Sequence, residues 1–357
     1  MSSITPQNYL NKLPKKFSIK TKLKPNLSIT IFAVPKPFIG DIGIIQRNAI
    51  TSWTLLEPRP EIILFGKEKG TEKIAKELGI RHLPKVKCNQ YKTPLLDGIF
   101  AEVQRLANNK ILTYINADII LTQDFLTTVQ QVAAEFPQFL LTGRRWNLEL
   151  QNALNLEDKN WVKNFKKLVW ERGVLAPETA KDYFVFPKHL FSEVPEFAIG
   201  RGYWDNWMVN LALEKNYPVI DGSQTILAVH QNHSYSHVLG GKTEAHLGKE
   251  AEINQKIGKV NKPGNIGEAT CQLKPSKFSD LPEVSLVTIG QNGNSRIGEV
   301  VDSILSQNFA DFEIVVIDDG GDEKTRKVLE PYFERLRYIP QKKKGISAAK
   351  NRALGIA

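Results

Sequence analysis

Asn116 and Asp118 interrupt an otherwise apolar segment of the chain, and they are the first candidates for chemistry. The residues before them, Ile111–Ile115, are mostly apolar, which predicts a strand buried on both faces of a parallel sheet. Ligands of open α/β sheets bind beyond the carboxyl ends of the strands, so a carboxylate at this strand end is expected to face a cleft. Oxygen ligands in such a place suit Mg²⁺ or Mn²⁺. The alternative is an aspartate that only caps the following turn.

Asp205 is the second candidate, and it lies in the segment GRGYWDNWMV at positions 200–209. Aspartate is favoured at helix N-caps, so a purely structural role at the start of a helix is open. Separately, Trp204, Trp207 and Met208 could form the core face of a helix that starts near Asp205, which is compatible with chemistry at Asp205.

Histidines form the third candidate group, because His230, His233 and His237 follow one another closely. Their spacing could hold zinc, but no cysteine or acidic residue completes an evident tetrahedral set of ligands. The two cysteines, Cys88 and Cys271, are far apart in sequence. They indicate neither a disulfide framework nor a cysteine-based metal site.

The composition is that of a globular protein with anionic partners. The 357 residues are enough for two domains, and 41% hydrophobic with 24% charged residues excludes a disordered or fibrous chain. The net charge of +10 is concentrated in Lys12–Lys24 and Lys342–Lys344. Such an excess favours nucleotide diphosphates, phospholipid head groups or nucleic acid as partners, with solvated surface charge as the alternative. No RNA-binding motif is evident, so no nucleic-acid partner is expected.

No apolar stretch reaches the roughly 18 residues of a membrane span, and no secretory leader is evident at the N-terminus. The sequence therefore predicts a cytoplasmic protein. Peripheral contact with the inner face of the membrane, through the basic segments, is compatible with this localisation.

Strands and helices alternate along the first part of the chain, which predicts a doubly wound, mostly parallel α/β sheet. Each predicted strand is a short apolar run, and each predicted helix has apolar residues at helical spacing. The predicted strands are Leu27–Val34, Glu61–Phe65, Arg81–Val86, Ile111–Ile115 and Phe139–Leu141, and the predicted helices are Ile42–Leu55, Glu72–Leu78, Thr93–Ala107 and Gln123–Glu135.

Composition divides the chain into four parts: a basic leader at 1–26, a first domain at 27–257, a linker at 258–281 and a second domain at 282–357. The linker is rich in Lys, Pro, Gly, Ser and Asn.

The second domain repeats the order of elements of the first, which suggests two copies of one unit. Pro60–Leu64 and Arg81–Pro84 correspond to Phe312–Val316 and Arg337–Pro340. By the same spacing, the counterpart of Asn116 would fall beyond the last residue. The second copy is therefore expected to be incomplete.

The second domain resembles the opening part of a family 2 glycosyltransferase. The resemblance lies in three blocks that follow the family's order: Pro282–Asn292, Val300–Gly320 and Lys344–Ala357. It implies that Asp319, the second aspartate of the Ile-Asp-Asp-Gly block, contacts the nucleotide base. One departure is Gly290–Asn292, which replaces the family's usual Thr-Tyr-Asn.

The first domain resembles GT-A glycosyltransferases more loosely, over roughly Leu27–Gly258. Asn116–Asp118 takes the place of the Asp-x-Asp motif of that fold, with asparagine at the first position. The segment Gly202–Asn206 looks like the glycine-aromatic-acidic block that supplies the catalytic base, which implies this role for Asp205. His230 falls where such enzymes often place a metal-binding histidine.

Together these resemblances imply a metal-dependent glycosyltransferase that moves a sugar from a nucleotide-diphosphate sugar to a hydroxyl of a glycan or lipid-linked acceptor. Asp118 and His230 would hold Mn²⁺ or Mg²⁺, and a carboxylate base attacking from the far face predicts inversion. The implied donor-binding residues are Asn116, Asp118, Trp204 and Asp319. Trp204 is among them because aromatic faces suit sugar rings.

Two alternatives remain open at this point. The asparagine in the metal motif favours a catalytically silent sugar- or polysaccharide-binding module that assists a partner transferase. A nucleotidyltransferase shares the nucleotide-binding architecture, but the segment Ala33–Pro37 lacks the glycines of a phosphate loop.

Overall fold

The computed structural model describes residues 27–150, 152–233, 243–244, 247–259, 264–273, 284–290, 296–307, 312–333 and 335–354. The predicted basic leader and half of the predicted linker, residues 260–263 and 274–281, lie outside these ranges. The chain divides into two compact units: Met1–Lys159 with Ala176–Lys274, and Asn160–Leu175 with Pro275–Ala357.

The described strands are β1 (Thr30–Ala33), β2 (Glu61–Phe65), β3 (Arg81–Leu83), β4 (Ile111–Ile115), β5 (Ile119–Ile120), β6 (Leu140–Thr142), β7 (Trp146–Leu148), β8 (Val174–Leu175), β9 (Tyr183–Pro187), β10 (Val219–Asp221), β11 (Val229–Gln231), β12 (Cys271–Gln272), β13 (Val284–Gly290), β14 (Phe312–Asp319) and β15 (Arg337–Gln341). The described α-helices are α1 (Gly40–Thr54), α2 (Thr71–Leu78), α3 (Leu96–Leu106), α4 (Gln123–Glu135), α5 (Trp161–Arg172), α6 (Trp204–Glu214), α7 (Lys249–Gly258), α8 (Ile297–Leu305), α9 (Glu323–Leu329) and α10 (Ile346–Leu354).

The first unit is built on an eight-stranded sheet with the order β12-β10-β6-β9-β4-β1-β2-β3. Strand β9 runs antiparallel to β4 and β6, and the other neighbouring strands pair in parallel. Every residue of β1, β4 and β9 is buried, so both faces of the central sheet are covered. The predicted α/β class with a mostly parallel sheet is confirmed.

Aromatic rings fill one face of this sheet. Phe32 of β1 makes edge contacts with Phe100 of α3, Tyr114 of β4 and Phe186 of β9, at centroid distances of 5.3, 5.6 and 6.4 Å. Edge-to-face packing of this kind stabilises a core beyond the burial of its area, by about 0.5–1.5 kcal/mol per pair. The cluster fixes the strands whose carboxyl ends carry the polar residues.

A smaller sheet places β11 beside the end of β4. Strand β11 pairs antiparallel with β5, where His230 lies opposite Ile119, and parallel with β7. The backbone amide of Gln231 donates to the carbonyl of Asp118, at 3.4 Å. The histidine-containing segment is therefore fastened to the end of the central strand.

The second unit contains a parallel sheet of β13, β14 and β15, in that order. Its core includes Ile314 and Val316 of β14 and Ile297 and Val301 of α8. Its strand β13 is only partly covered, since Val284 is 39% exposed.

Equivalent polar clusters cross the strands of both units. In the first unit Glu61 of β2 accepts a hydrogen bond from the Thr30 hydroxyl at 2.6 Å and pairs with Arg81 of β3 at 2.6 Å. The registers are Thr30 opposite Glu61 and Ile63 opposite Arg81.

The second unit has the same cluster in the same register. Glu313 of β14 accepts from the Ser285 hydroxyl at 2.6 Å and pairs with Arg337 of β15 at 2.9 Å. Ser285 lies opposite Glu313, and Val315 lies opposite Arg337. The repeat suggested by the sequence is thus present in the strand register and in the side-chain contacts.

Two segments are grouped differently from the predicted domain boundaries. Helix α5 lies within the predicted first domain but groups with the second unit, where the Arg337 guanidinium stacks over the Trp170 ring at 5.1 Å. Strand β12 lies within the predicted linker but pairs with β10, because its backbone continues the sheet of the first unit.

Candidate active site

A cleft of about 1350 Å³ opens in the first unit at the carboxyl ends of the parallel strands. The residues that follow β1, β2, β3 and β4 line it, as does the start of α6. Seven basic and four acidic side chains face it, so its charge favours an anionic ligand. These side chains are Lys36, Lys67, Lys85, Lys92, Arg145, Lys181 and Arg201, with Glu68, Asp118, Asp182 and Asp205.

Asp118, His230 and His233 form a cluster that could hold a metal ion, with one ligand atom of each within 4.8 Å of the others. The Asp118 Oδ2 atom lies 3.1 Å from His233 Nε2 and 3.9 Å from His230 Nε2. The structure thus brings together the two predicted metal ligands and adds His233. In the sequence His233 was considered only for zinc, and His237, the third member of that set, lies outside the described residues.

The charge state of Asp118 follows from its neighbours. Burial is the largest influence on its carboxyl and favours the neutral form. The charge of Lys36, the hydrogen bond with His233 and the two imidazoles outweigh burial, so the pKa of Asp118 is lowered. The carboxylate is therefore charged across the neutral pH range.

His230 is suited to bind a metal as a neutral imidazole. Burial is the main cause that lowers the pKa of His230 below its usual 6.5, and Arg145 and His233 act in the same direction. Two buried atoms at this place, Asp118 Oδ1 and His230 Nδ1, make no hydrogen bond to any described residue. Unsatisfied buried polar atoms of this kind, beside two imidazoles and a carboxylate, fit a bound metal ion better than a purely structural aspartate.

Asn116 is held by hydrogen bonds on both sides of its amide group. Its Nδ2 donates to Asp182 Oδ1 at 2.5 Å, and its Oδ1 accepts from the Tyr114 hydroxyl at 3.1 Å. Asp182 in turn pairs with Arg145 at 2.5 Å. The asparagine therefore orients a carboxylate and a guanidinium at the wall of the cleft, and its predicted contact with a donor stays a prediction.

Asp205 lies in the first turn of α6 and lines the same cleft. The N-cap of this helix is Tyr203, at a φ of 81°, so the interpretation of Asp205 as the N-cap is wrong. Asp205 Oδ2 lies 3.2 Å from the ammonium of Lys181, whose side chain is fully buried and also donates to Asn206 at 3.0 Å. The buried lysine fixes the orientation of the Asp205 carboxylate.

Trp204 belongs mainly to the core. It is 6% exposed and packs against Tyr114 and Phe184 at centroid distances of 5.1 and 5.3 Å. It also lines the cleft, so its predicted contact with a sugar stays a prediction. This packing joins α6 to β4 and places Asp205 and Asp118 on walls of one cleft.

Helix α7 holds the loop that precedes α6. The fully buried Asn254 accepts from the Ala198 amide at 2.9 Å and donates to the carbonyls of Ala198 and Gly202 at 3.0 and 3.1 Å. Glu250 pairs with Arg201 in the same loop at 2.8 Å. These contacts join residues about 50 positions apart in the sequence, and no local sequence pattern indicates them.

Asp319, at the end of β14 in the second unit, is hydrogen-bonded to neighbouring parts of its own chain. It is fully buried, and its oxygens accept from the amides of Lys344 and Gly345 at 2.7 and 2.8 Å and from the Gln341 side chain at 2.8 Å. The neighbouring Asp318 accepts from the Tyr338 hydroxyl at 2.6 Å. Contact of Asp319 with a nucleotide base stays a prediction.

Sequence reasoning missed Lys36, Arg145 and Lys181 as site residues. Lys36 could have been found, because it follows β1 at the same edge of the sheet as Asp118. Arg145 and Lys181 lie in loops beyond β6 and before β9, and nothing local marks them.

Comparisons with known proteins agree with the resemblance of the second domain. Residues 285–357 match the family described as Glycosyl transferase family 2. Chondroitin synthase of Escherichia coli is 31% identical over 86 residues, which are 23% of this chain and 12% of that protein. EpsJ of Bacillus subtilis, named as an uncharacterized glycosyltransferase, is 32% identical over 80 residues, or 22% of this chain and 23% of that protein. The chain thus spans less than a quarter of the length of either relative.

Solved structures with some similarity are also glycosyltransferases. One is glucosyl-3-phosphoglycerate synthase from Mycobacterium tuberculosis with Mn²⁺, UDP and phosphoglyceric acid, at 15% identity and a TM-score of 0.35, covering 59% of this chain and 72% of that chain. Another is the mannosyltransferase PcManGT from Pyrobaculum calidifontis with GDP-Man and Mn²⁺, at 12% identity and a TM-score of 0.35. The match covers 63% of this chain and 64% of that chain.

Among the described residues, no helix combines the length and the apolar character needed to cross a membrane.

Proposed function

We propose that the first unit is a glycosyltransferase that uses a nucleotide-diphosphate sugar and a divalent cation. The observation that carries this proposal is the cluster of Asp118, His230 and His233 at the end of the central strand, inside a basic cleft that also holds Asp205. The family match of residues 285–357 supports the same class of activity for the chain.

Residues on two walls of the cleft would act on opposite ends of the reacting bond. One wall would bind the leaving diphosphate, and the other would activate the acceptor hydroxyl. Asp118, His230 and His233 would hold a cation that, when bound, neutralises the charge gathering on the leaving diphosphate. Lys36 and Arg145 add positive charge to the same part of the cleft. Arg145 is oriented by Asp182, and this preorganisation avoids the cost of ordering the guanidinium at the moment of reaction.

Asp205 would act as general base on the acceptor hydroxyl. Its carboxylate faces the cleft from the start of α6, and Lys181 restricts its orientation. Proton transfer to a positioned carboxylate is typically worth about 10²–10⁴-fold in rate. A base on the opposite face of the sugar from the leaving group gives inversion at the anomeric carbon.

Donor turnover by matched variants tests this function. Wild type, Asp118→Asn and Asp205→Asn would be incubated with UDP- and GDP-hexoses, with Mn²⁺ or with EDTA, and release of nucleotide would be measured. We expect Mn²⁺-dependent release that both variants lose by about 100-fold or more. Asp41→Asn, at an exposed position in the first turn of α1, removes the same charge outside the cleft and should leave release unchanged. Full activity of either cleft variant contradicts the proposal.

A second candidate is a sugar-binding module without turnover. The ion pair of Asp205 with Lys181 favours it, because the carboxylate that would have to take the acceptor's proton already faces a buried ammonium at 3.2 Å. Calorimetry decides between the two candidates. A nucleotide sugar that binds with Mn²⁺ but is not consumed, with any acceptor tried, supports the module.

A further inference from the structure

Lys36 occupies an unusual place against the metal-ligand cluster. Its ammonium lies 3.4 Å from Asp118 Oδ2 and 3.1 Å from His233 Nε2, and these two ligand atoms are themselves 3.1 Å apart. Three polar atoms thus form a nearly equilateral triangle in which the only permanent positive charge is that of the lysine. The lysine places a single positive charge where a divalent cation would bind.

The backbone of Lys36 is anchored by Gln46, whereas its ammonium reaches the cluster at the end of a flexible side chain. Gln46, a buried residue of α1, accepts from the Lys36 amide at 2.6 Å and donates to the Lys36 carbonyl at 2.8 Å. The side chain is 29% exposed at the cleft. Four methylene groups give the ammonium a reach of several ångströms from this anchored backbone, so it can leave the carboxylate without any change of fold.

His233 cannot satisfy both of its neighbours through one nitrogen. If Nε2 carries a proton, it donates to Asp118 and presents a hydrogen to the ammonium of Lys36. If Nε2 carries none, it accepts from Lys36 and directs a lone pair toward the carboxylate oxygen. A single cation that both Asp118 and His233 can ligate removes this conflict, provided that the ammonium moves away.

We propose that Lys36 is a built-in counter-cation of the Asp118–His230–His233 cluster, and that it competes with the divalent cation for that place. When the metal binds, the ammonium is displaced into the cleft, where it is available to an anionic ligand. This inference rests on the metal site of the proposed function and adds to it a residue that sets how tightly the metal is held.

Manganese affinity measured without nucleotide tests the competition directly. Mn²⁺ binding to the full chain would be followed by electron paramagnetic resonance for wild type, Lys36→Met, Lys36→Arg and Lys73→Met. We expect Lys36→Met to bind Mn²⁺ about tenfold or more tightly than wild type, because an ammonium and a divalent ion repel strongly in a partly buried site. Lys36→Arg keeps the charge and should stay within about threefold of wild type.

Lys73→Met is the control for net charge. Its side chain is 78% exposed on α2, away from the cleft lining, so its removal should leave the Mn²⁺ affinity unchanged. An affinity of Lys36→Met equal to or below that of wild type overturns the proposal, as does the absence of Mn²⁺ binding in both. Tighter Mn²⁺ binding by Lys36→Met in a protein that turns over no nucleotide sugar would leave this inference standing and remove the proposed function.

A measurement on the wild-type chain covers the case in which Lys36→Met does not fold. Amine acylation at Lys36, quantified by mass spectrometry, would be compared with and without saturating Mn²⁺, with Lys73 as the internal standard. Displacement of the ammonium predicts at least about a twofold rise in Lys36 labelling, since the freed amine leaves its ion pair. Unchanged or reduced labelling in the presence of Mn²⁺ overturns the proposal.

Discussion

Both units of this protein end a central parallel strand with a buried aspartate, but the two carboxylates have different surroundings. Asp118 of the first unit is 7% exposed, lines a cleft and faces a lysine and two histidines. Asp319 of the second unit is fully buried and is bonded to two backbone amides and a glutamine. The same residue type at the same kind of position thus faces cations in one unit and the chain's own amides in the other.

The difference shows what turns a strand-end carboxylate into a candidate site. Backbone amides around Asp319 satisfy its oxygens and fasten the start of α10, which is a structural task. Around Asp118, one oxygen has no hydrogen-bond partner among the described residues, and the neighbouring groups are cations or metal ligands. The two aspartates lie at the ends of strands that are not equivalent in the repeat, because β14 corresponds to β2 and not to β4, and the identity of their neighbours differs as well.

Exchanging each aspartate for asparagine gives the largest contrast between the two units. Asp118→Asn should lower nucleotide-sugar turnover by about 100-fold or more, because charge neutralisation by a bound cation is worth several kcal/mol. Asp319→Asn should leave Mn²⁺ binding intact but lower the free energy of unfolding of the second unit by about 2–3 kcal/mol, as charged hydrogen bonds are lost. Turnover assays and chemical denaturation measure the two effects. The contrast fails if Asp319→Asn abolishes Mn²⁺ binding while Asp118→Asn preserves it.

Substitution of the two cleft histidines tests whether the metal binds in the first unit. Mn²⁺ affinity would be measured by calorimetric titration. His230→Gln and His233→Gln should each weaken Mn²⁺ binding by about tenfold or more, since each removes one ligand. The second domain, 282–357, contains no histidine, so no compensating imidazole is available there. His189→Asn, at an exposed position with a φ of 75° that asparagine tolerates, is the control in the same calorimetric titration. Unchanged affinity in both cleft variants would remove the cluster as a metal site.

The paired Glu–Arg clusters test whether the two units share their internal energetics. Arg337 is more buried than Arg81, with side-chain exposures of 13% and 39%. We expect a coupling energy of about 1–2 kcal/mol for Glu313 with Arg337 and about 0.5–1 kcal/mol for Glu61 with Arg81, because exposed pairs are screened by water. Double-mutant cycles in denaturant measure both. A larger coupling for the more exposed pair contradicts this ranking.

The smallest expected effect is the change of folding stability with pH. It should arise in the first unit, which contains His230. Burial lowers the pKa of His230, so the folded chain binds that proton more weakly than the unfolded chain does. Its contribution to stability is therefore present above the unfolded pKa of about 6.5 and is lost as pH falls below that value. Metal-free wild type should lose more stability between pH 7 and pH 5.5 than His230→Gln in matched denaturation experiments. An equal loss in the two proteins would assign the pH dependence to other groups.

Much of the framework follows from local sequence patterns. The strand Glu61–Phe65 and the helix Gln123–Glu135 have the same bounds in the structure as in the prediction, because apolar periodicity and helix breakers act over a few residues. Arg81–Val86 was predicted too long, since β3 ends at Leu83 at the edge of the sheet. Strand β12 could not be predicted from composition, because only its pairing with β10 makes it a strand.

The sequence by itself determined the α/β alternation, the repeated order of elements and the placement of Asp118 at the end of a central strand. Only the tertiary structure decided that Lys36 and His233 contact Asp118, across 82 and 115 residues of chain, and that the Asn116 amide donates to Asp182. The physical reason is the distance along the chain over which the interacting residues are separated. Periodicity is set by neighbours along the chain, whereas the charge and the ligand set of a site are set by groups that meet only when the strands have packed side by side.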